Sequence, residues 1–487
     1  MLRSFPECIY ESPTAVPEDT PRLLLITYHF PPGQAAGALR WQKFATHGAA
    51  RGWAFDVITL DPTSLDAADP ARLDQLPMGT RVFAVDSPQL AVQQLKQAVW
   101  RFYRRLRPRR PQNDASLAAP QRTGNKSSGA THRDEVVFHP FEIHSWWRAN
   151  NAWVEYAQTR IWAGRAAALG RRLIVPRVHR AVVSSGPPHM AHEGARRLSL
   201  ETGLPLAIDL RDPWSLYERL PPDRASPLWY RYALRYESLA VQQAALVAMN
   251  TEPARRAMAA RHPMQADRII AVTNGFDDDE VLPTARRDDR FLIAFAGSVY
   301  LDRSPRILFE AVGRVVRELN LSPAEYGIEL MGHHITGAEG GPIRAMAERA
   351  GIEAFLQLHP PGTRQQAAEF LARATMLINL AQDSHLAIPS KVFEYMRYDA
   401  WLLALAECDS ATELLLRETA ADVVPPEDLD SLTEVLRARF ADHRAGRHPE
   451  PIACETRFSR SAQAERLFDA LEQITGEPRG PSVDRRS

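Results

Sequence analysis

The segment Ile388–Met396, IPSKVFEYM, holds the residues whose types and spacing are best suited to chemistry. It follows a predicted strand at Met376–Leu380, and Ser390 is expected to open a helix with Lys391 in its first turn. A helix N-terminus carries about half a positive charge and unpaired N–H groups, so a lysine there is unfavourable unless an anion lies nearby. Glu394, one turn further on, could accept hydrogen bonds from ribose hydroxyls. The pattern therefore predicts a site for a phosphorylated ligand.

A purely structural interpretation of this segment is that Ser390 and Glu394 cap the helix. A capping box requires the glutamate three residues after the serine, and that position is Phe393. The chain also holds only four lysines among its 59 basic residues, so a lysine here is a selective feature. Both observations favour ligand binding over capping.

Three further groups of residues in the first half of the chain lie next to predicted strands or helices and are candidates for ligand binding. PPGQAAGALR carries Gly33 and Gly37, which either let the backbone approach a phosphate or form a tight turn. GPPH places His189 beyond the end of a strand, where a structural role and a role in a cleft are both open. DLRDPW gathers charges at a strand terminus, indicating either a bound acceptor or a buried ion-pair network. Its charged residues are Asp209, Arg211 and Asp212.

Strands and helices alternate along the chain in two series, which is the pattern of a parallel, doubly wound α/β sheet. The first series begins with the apolar run Arg22–Tyr28 and ends near Gly275, and the second begins at Phe291–Ser298. The acidic, proline-containing stretch between them predicts a linker. Four tryptophans predicted to be core residues lie on apparent helical turns after Phe141; they are Trp146, Trp147, Trp153 and Trp162.

Composition and charge exclude several classes of protein. The chain has 487 residues, of which 59 are basic and 59 acidic, so there is no global field that attracts nucleic acid. The three cysteines are widely separated, which is typical of a reducing cytosol. The sequence has no apolar run of the roughly 20 residues that a spanning helix needs, and its first residues do not resemble a secretory signal. These features predict a soluble, cytoplasmic, multi-domain globular protein.

Two groups resemble metal ligands but have a poor context. Asp277–Asp279 has the spacing of a D-x-D motif, yet it lies in the predicted linker and is interpreted as a solvated acidic run. The pairs His189/His192 and His333/His334 lack a carboxylate or cysteine at ligand spacing. We therefore expect neither a metal nor a cofactor.

The segment IPSKVFEYM resembles the P-x-K-x-x-E-Y segment of retaining glycosyltransferases with the GT-B fold and family-4-like domains. Other segments agree with that family in order along the chain: LLLITYHFPPGQAAGALR, VVSSGPPH, DLRDPW, VTNGFD and FAGSVYLDR. The resemblance implies an α/β fold of two Rossmann-like domains that face each other across a cleft. It also implies that the second domain binds a nucleoside-diphosphate sugar, that the first binds the acceptor, and that the last helix crosses back.

The resemblance assigns roles to individual residues. Glu394 matches the glutamate that binds the donor ribose, and Gly297 and Ser298 match the glycine turn facing the diphosphate. The implied donor site consists of Gly297, Ser298, Arg303, Ser390, Lys391 and Glu394. The implied catalytic residues are His189, Asp212, Arg303 and Lys391. The residues expected on the acceptor side of the cleft are Gly33, Gly37, Asp209 and Arg211.

One position departs from the family. Many relatives carry a second glutamate eight residues before the ribose-binding one, where this chain has Leu386. Contacts to the donor sugar would then come from Asp383 or from the backbone. This departure keeps a non-catalytic nucleotide-sugar-binding protein open beside a metal-independent glycosyltransferase. An epimerase, which can share the fold, is a further alternative, although Leu386 argues against it. The acceptor is expected to be a glycan or a lipid-linked sugar of bacterial envelope polysaccharide synthesis.

The expected organisation has an extension at 1–20, an acceptor-side domain at 21–283 with a flexible insertion at 108–133, and a donor domain at 290–450. A helix at 455–475 and a tail at 476–487 follow. Within the first domain, residues 93–110 contain seven basic residues and no acidic one. Apolar residues recur there at three- and four-residue spacing, which predicts a basic amphipathic helix on an anionic membrane. An ordinary surface helix is the alternative. The protein would then be peripheral on the inner face of the plasma membrane.

Overall fold

The computed structural model describes residues 7–65, 68–87, 131–133, 136–139, 141–212, 214–217, 219–297, 299, 303–333, 335–336, 340–382, 385–454 and 456–476. Ser298, Asp383, residues 93–110, the greater part of the 108–133 insertion and the tail after residue 476 lie outside this part of the chain.

The first half of the chain builds an eight-stranded sheet in the order β1-β4-β3-β2-β6-β7-β9-β10, parallel except for β1. Its strands are β1 (Cys8–Glu11), β2 (Arg22–Thr27), β3 (Ala54–Leu60), β4 (Thr80–Val85), β6 (His179–Gly186), β7 (Leu206–Leu210), β9 (Leu246–Met249) and β10 (Ile269–Ala271). Two short strands, β5 (Thr131–His132) and β8 (Arg219–Leu220), pair separately. Residues 8–11 fall within the expected N-terminal extension, but they form an edge strand, because their backbone pairs antiparallel with β4.

The second half builds a six-stranded, fully parallel sheet in the order β13-β12-β11-β14-β15-β16. Its strands are β11 (Phe291–Ala296), β12 (Tyr326–Met331), β13 (Leu356–His359), β14 (Met376–Ala381), β15 (Trp401–Ala406) and β16 (Asp422–Val424). Strands β11, β14 and β15 are buried along their whole length, which is why they are continuous apolar runs in the sequence. The predicted α/β class with two parallel-sheet domains is confirmed.

Helices cover the faces of both sheets. In the first half they are α1 (Ala36–Ala50), α2 (Ile143–Leu173), α3 (Met190–Thr202), α4 (Pro227–Gln243) and α5 (Glu252–Arg261). In the second half they are α6 (Arg306–Glu318), α7 (Gly341–Ala350), α8 (Arg364–Ala372), α9 (Lys391–Tyr395), α10 (Ala411–Leu416), α11 (Leu429–Arg444) and α12 (Arg460–Thr475). None of the described helices is both long and apolar enough to cross a membrane.

The last helix leaves the second sheet and packs on the first. Leu467, Phe468 and Leu471 of α12 belong to the same core cluster as Leu23 and Val57 of the first sheet. Gly48 of α1 leaves the space that the Phe468 ring occupies, since a Cβ there would meet the ring. Helix α12 thereby ties the C-terminal end of the chain to α1 and the first sheet.

Candidate active site

The carboxyl end of β11 is held by two side chains of α9. The Lys391 ammonium donates a hydrogen bond to the Ala296 carbonyl and lies 5.4 Å from the centre of the Phe295 ring. The Tyr395 hydroxyl donates to the same carbonyl at 3.2 Å and accepts from the Ala296 N–H at 2.9 Å. The sequence analysis quoted the tyrosine within the motif without giving it a role. Its role here is to fix the strand end against α9.

Gly297 leaves the space that the Lys391 ammonium occupies. A Cβ at position 297 would meet that ammonium and would lie 2.8 Å from the Phe295 ring. Any larger residue would therefore displace the lysine from the strand end. Gly297 and Lys391 are thus coupled parts of one site. Their positions, far apart in the sequence, do not reveal this coupling.

The charges around α9 perturb one another. Burial lowers the pKa of Lys391 to about 8; nearby Glu394 opposes this and nearby Arg303 adds to it. Burial raises the pKa of the Glu394 carboxyl, although it is accessible to solvent, and the Arg364 and Lys391 cations partly offset that rise. Lys391, Arg303 and Glu394 are therefore within electrostatic reach of one another. Two neighbouring cations favour a polyanionic ligand, since it would relieve their repulsion.

Helix α9, Lys391–Tyr395, is short and begins one residue after Ser390, where its start was expected. It contains five residues, so it sums few peptide dipoles, and the side chains of the site must supply most of the positive charge. Ser390 precedes the helix with an exposed side chain that makes no capping hydrogen bond. The capping interpretation of Ser390 is therefore excluded.

Leu386, which stands where many relatives have a glutamate, faces the first half of the chain. Its side chain packs against the core cluster that includes Ala254 and Met258 of α5. Its carbonyl accepts a hydrogen bond from the Thr251 hydroxyl at 2.6 Å. The residue thus contributes to the contact between the two halves.

In the first half, a cluster of rings lies at the end of β6. His189 is 8% exposed and stacks on Trp214 at 4.8 Å between ring centres, and neither of its ring nitrogens has a hydrogen-bond partner among the described residues. His192 lies beside it, with its Nδ1 atom 2.8 Å from the Ser184 hydroxyl. Burial lowers the pKa of His189 well below its ordinary value and that of His192 to about 3. Both imidazoles are therefore neutral at pH 7.

Asp209 belongs to a buried ion-pair network. Its two carboxylate oxygens accept hydrogen bonds from Arg40 at 3.0 and 3.2 Å, from the Trp41 indole at 2.7 Å and from the Ser185 hydroxyl at 3.0 Å. Because four hydrogen bonds already occupy this carboxylate and only 1% of the residue is exposed, it cannot bind an acceptor substrate. Of the two interpretations of DLRDPW, the network is correct for this residue, and its expected place on the acceptor side of the cleft is wrong.

Arg211 fixes the loop that precedes His189. Its guanidinium donates to the Gly186 carbonyl at 3.0 Å and to the Pro187 carbonyl at 2.8 Å. Gly37 makes room for it, because a Cβ at that position would overlap the guanidinium. Arg211 and Gly37 therefore position the loop.

Asp212 and Gly33 differ in what they offer to a ligand. Burial raises the pKa of the half-buried Asp212 carboxyl, which also bonds to Tyr217. Asp212 is therefore suited to hold a proton. The Gly33 N–H donates to the Phe30 carbonyl at 2.9 Å and is not available to a phosphate, so the tight-turn interpretation is correct for Gly33.

Asp277 is not part of a solvated acidic run. Only 5% of it is exposed, and its carboxylate pairs with Arg460 at the start of α12 at 2.7 Å. Asp279 pairs with Lys43 of α1 at 3.2 Å, and Asp278 bonds to the Ser461 hydroxyl. These acidic residues fasten the linker to α1 and α12, which explains why a purely local interpretation of the sequence was wrong.

Arg460 also connects the two groups of candidate residues. It is close enough to Glu394 to lower the pKa of that carboxyl, and Arg40 is close enough to lower the pKa of Arg460. Arg40 in turn binds Asp209.

In the described part of the chain, no group of three or more His, Cys, Asp or Glu side chains is arranged to hold a metal ion.

No protein-family model and no curated protein matches the sequence. Solved structures do match. Anabaena Alr3699/HepE, a structure in complex with UDP and glucose, has a TM-score of 0.56 at 13% identity, covering 93% of this chain and 99% of its own. Sucrose-phosphate synthase from Thermosynechococcus elongatus has a TM-score of 0.58 at 12% identity, covering 94% and 99%. The chain has the GT-B fold.

A third neighbour, the lipopolysaccharide outer core galactosyltransferase WaaB, has a TM-score of 0.54 at 11% identity, covering 93% of this chain and 99% of its own. All three neighbours cover both halves of this chain, so the likeness extends to the pair of domains. In this GT-B fold, α9 and the ring cluster at β6 both follow the carboxyl ends of parallel strands, where open α/β sheets bind their ligands.

Proposed function

We propose that the protein is a glycosyltransferase that moves a sugar from a nucleoside-diphosphate sugar to a glycan or lipid-linked acceptor. The observation that carries the proposal is the position of Lys391 against Gly297 at the carboxyl edge of the second sheet, with Glu394 within electrostatic reach of the lysine. The GT-B fold supports it, as do the UDP and glucose in the HepE structure. We propose a UDP-sugar as the donor.

Each residue has a defined task in this proposal. Breaking the bond between sugar and diphosphate builds negative charge on the leaving phosphate, and Lys391 and Arg303 stabilise that charge. Removing one such preorganised donor typically costs about 2.7–4 kcal/mol of the activation barrier. Glu394 accepts hydrogen bonds from the ribose hydroxyls. Asp212 and His189 face the acceptor side, with Arg211 holding their loop.

We also propose that the transfer retains the configuration of the sugar and needs no metal ion, because fixed cations neutralise the leaving group. Activity is then expected to survive an excess of chelator. Complete inhibition that an added divalent ion reverses would contradict this part. Analysis of the anomeric configuration of the product by NMR tests retention.

The decisive experiment combines binding and product analysis. A thermal-shift screen with UDP, GDP and ADP identifies the base, since a ligand at 100 times its dissociation constant stabilises by about 2.7 kcal/mol. Incubation with the matching nucleotide sugars and a panel of sugar acceptors then separates three outcomes. Transfer supports the proposal, whereas isomerisation of the donor indicates an epimerase, and binding without turnover indicates a non-catalytic protein.

We further propose that the protein works at the inner face of the plasma membrane in envelope polysaccharide synthesis. Support comes from the sequence of residues 93–110, with seven basic residues and no acidic one, and an anionic lipid surface attracts each basic residue by about 1 kcal/mol. Co-sedimentation with anionic vesicles tests it. Binding that is unchanged when the arginines of this segment become glutamines would contradict it.

A further inference from the structure

Five large apolar side chains lie exposed where the chain enters α2. Phe141 is 101% exposed, Ile143 80%, Trp146 59%, Val137 55% and Trp147 47%. The sequence analysis assigned both of these tryptophans, and Trp153, to the core. That prediction is wrong for all three, since Trp153 is 44% exposed, and it is right for the fully buried Trp162.

Three of the five side chains share one face of α2, and Val137 and Phe141 come just before that helix in the chain. Ile143, Trp146 and Trp147 follow one another at three- and four-residue spacing and so share a face of α2. The buried residues Ala152 and Ala163 lie on the opposite face of the helix. Phe138 extends the surface by contacting the Trp146 ring, with 5.1 Å between ring centres. Scattered apolar residues are normal on a protein surface, but a contiguous cluster marks an interaction site.

We propose that this surface, Val137, Phe141, Ile143, Trp146 and Trp147, inserts into the head-group region of an anionic bilayer. We call it the α2 patch. Its composition fits that depth, since tryptophan is enriched at membrane interfaces while phenylalanine and isoleucine reach the acyl chains. The inference rests on the membrane association proposed above. It adds an apolar contact with the membrane to the electrostatic contact proposed for residues 93–110.

The basic composition of residues 93–110, which lie between Ser87 and Thr131 in the sequence, favours an anionic bilayer as the partner. The chain leaves the described part at Ser87, whose hydroxyl accepts a hydrogen bond from Gln158 of α2 at 3.4 Å, and returns at Thr131, six residues before Val137. The stretch of sequence that contains the basic 93–110 segment is thus flanked by Ser87, which bonds to α2, and by Thr131, six residues before the patch. Dimerisation through the patch would bring two such basic segments together, whereas an anionic lipid surface would attract both the segment and the patch.

The experiment uses the full chain and vesicles of phosphatidylcholine and phosphatidylglycerol, by co-sedimentation at low and high salt. The test variants are Trp146→Ser/Trp147→Ser and Phe141→Ser/Ile143→Ser. The matched control is Met264→Ser/Val281→Ser, which removes two apolar side chains that are 82% and 91% exposed elsewhere on the surface. Thermal unfolding and UDP binding are measured for every variant, so that membrane contact is separated from folding and from the donor site.

We expect each patch variant to lose about tenfold in partition, with the loss persisting at high salt, and the control to bind like the wild type. Arginine-to-glutamine changes in residues 93–110 should instead remove the salt-sensitive part. Patch variants that bind like the wild type overturn the inference while leaving the basic segment in place. A wild type that binds no vesicles overturns both membrane proposals, and a patch variant that turns a dimer into a monomer in light scattering assigns the patch to a second copy.

Discussion

Two charge clusters at opposite kinds of strand end differ in how their charges are satisfied. At the amino ends of the first sheet, the fully buried Asp56 accepts hydrogen bonds from Arg22 at 2.9 Å and from Arg81 at 2.5 and 2.8 Å. The His179 ring nitrogen lies 3.0 Å from the same carboxylate. At the carboxyl end of the second sheet, Lys391 instead has a carbonyl as its hydrogen-bond partner and a second cation nearby.

The difference separates a cluster that holds the fold from one that awaits a ligand. Around Asp56 burial alone would raise the carboxyl pKa, yet the hydrogen bonds from His179 and Arg81 hold it at about 2. Around Lys391 burial prevails and the pKa falls to about 8. The protein stabilises the first group in its charged form, whereas Glu394 offsets only part of the burial of Lys391, so an added anion would stabilise the charged lysine further. Strongly perturbed groups of the second kind are typical of functional sites.

The largest effect is expected from Asp56→Ala. Removing this carboxylate leaves mostly buried cations uncompensated, which costs about 3–5 kcal/mol of the free energy of unfolding. Urea denaturation measures the loss. As a control, Asp430→Ala breaks an exposed pair with Arg314 and should change little, because the Asp430 side chain is 87% exposed. Equal losses in the two variants would refute the structural role of the Asp56 cluster.

The next largest effect is expected from Lys391→Met, and it falls on activity. The catalytic rate should drop about 10²- to 10³-fold, since one stabilising cation for the leaving group is lost. Stability at pH 7 should not fall and should exceed that of the wild type, because the variant no longer buries a charge beside Arg303. Lys43→Met is the matched control, since Lys43 pairs with the exposed Asp279. Full activity of the Lys391 variant, or a loss of stability like that of Asp56→Ala, would contradict the assignment.

A smaller effect is expected from Gly297→Ala, which keeps the lysine but disturbs its position. The new methyl group meets the flexible end of Lys391, so the fold should persist while donor affinity falls by about tenfold. Gly332→Ala provides the contrast. Its Cβ would collide with the Gly297 carbonyl at a backbone φ of 156°, so the loss there should appear in unfolding. Unchanged donor affinity in Gly297→Ala would uncouple the glycine from the lysine.

The sequence predicted the strands well where burial on both faces makes them continuous apolar runs. The predicted strand Met376–Leu380 differs from the observed Met376–Ala381 by one residue. The edge strand Cys8–Glu11 was missed, because a short edge acquires its structure by pairing with β4. Helix α11 was missed although its Leu432, Leu436 and Phe440 recur every four residues, so the signal was present.

Within the site, sequence spacing identified residues that lie in one segment but did not identify contacts between residues far apart in the sequence. The motif identified Lys391 and Glu394 because they lie in one segment. The pair of Arg40 and Asp209 is separated by 169 positions, and that of Asp277 and Arg460 by 183, so no local pattern indicates them. Periodicity also groups Trp146 and Trp147 on one helix face, but only the tertiary structure shows that about half of each side chain stays exposed, at 59% and 47%.

The smallest effects are expected from a change of pH. As the pH rises above 8, donor binding should weaken while folding stability should increase. Because the pKa of Lys391 is about 8 in the free protein, UDP should bind most tightly below that pH and about fourfold more weakly at pH 8.5. Unfolding exposes the amine and returns its pKa towards 10.5, so the unfolded chain binds more protons between pH 8 and 10.5. The cost of burying this charge therefore disappears over the same range, and folding stability rises there.

Calorimetric titration of UDP and urea denaturation, each from pH 7 to 10, measure the two trends. In Lys391→Met both should be absent, so the stability difference between that variant and the wild type narrows as the pH rises. Lys391→Arg should bind UDP without the decline above pH 8, since a guanidinium stays charged. If UDP binding weakened equally in the arginine variant, another group would control the pH dependence of binding. Lys391 would then only stabilise the end of β11.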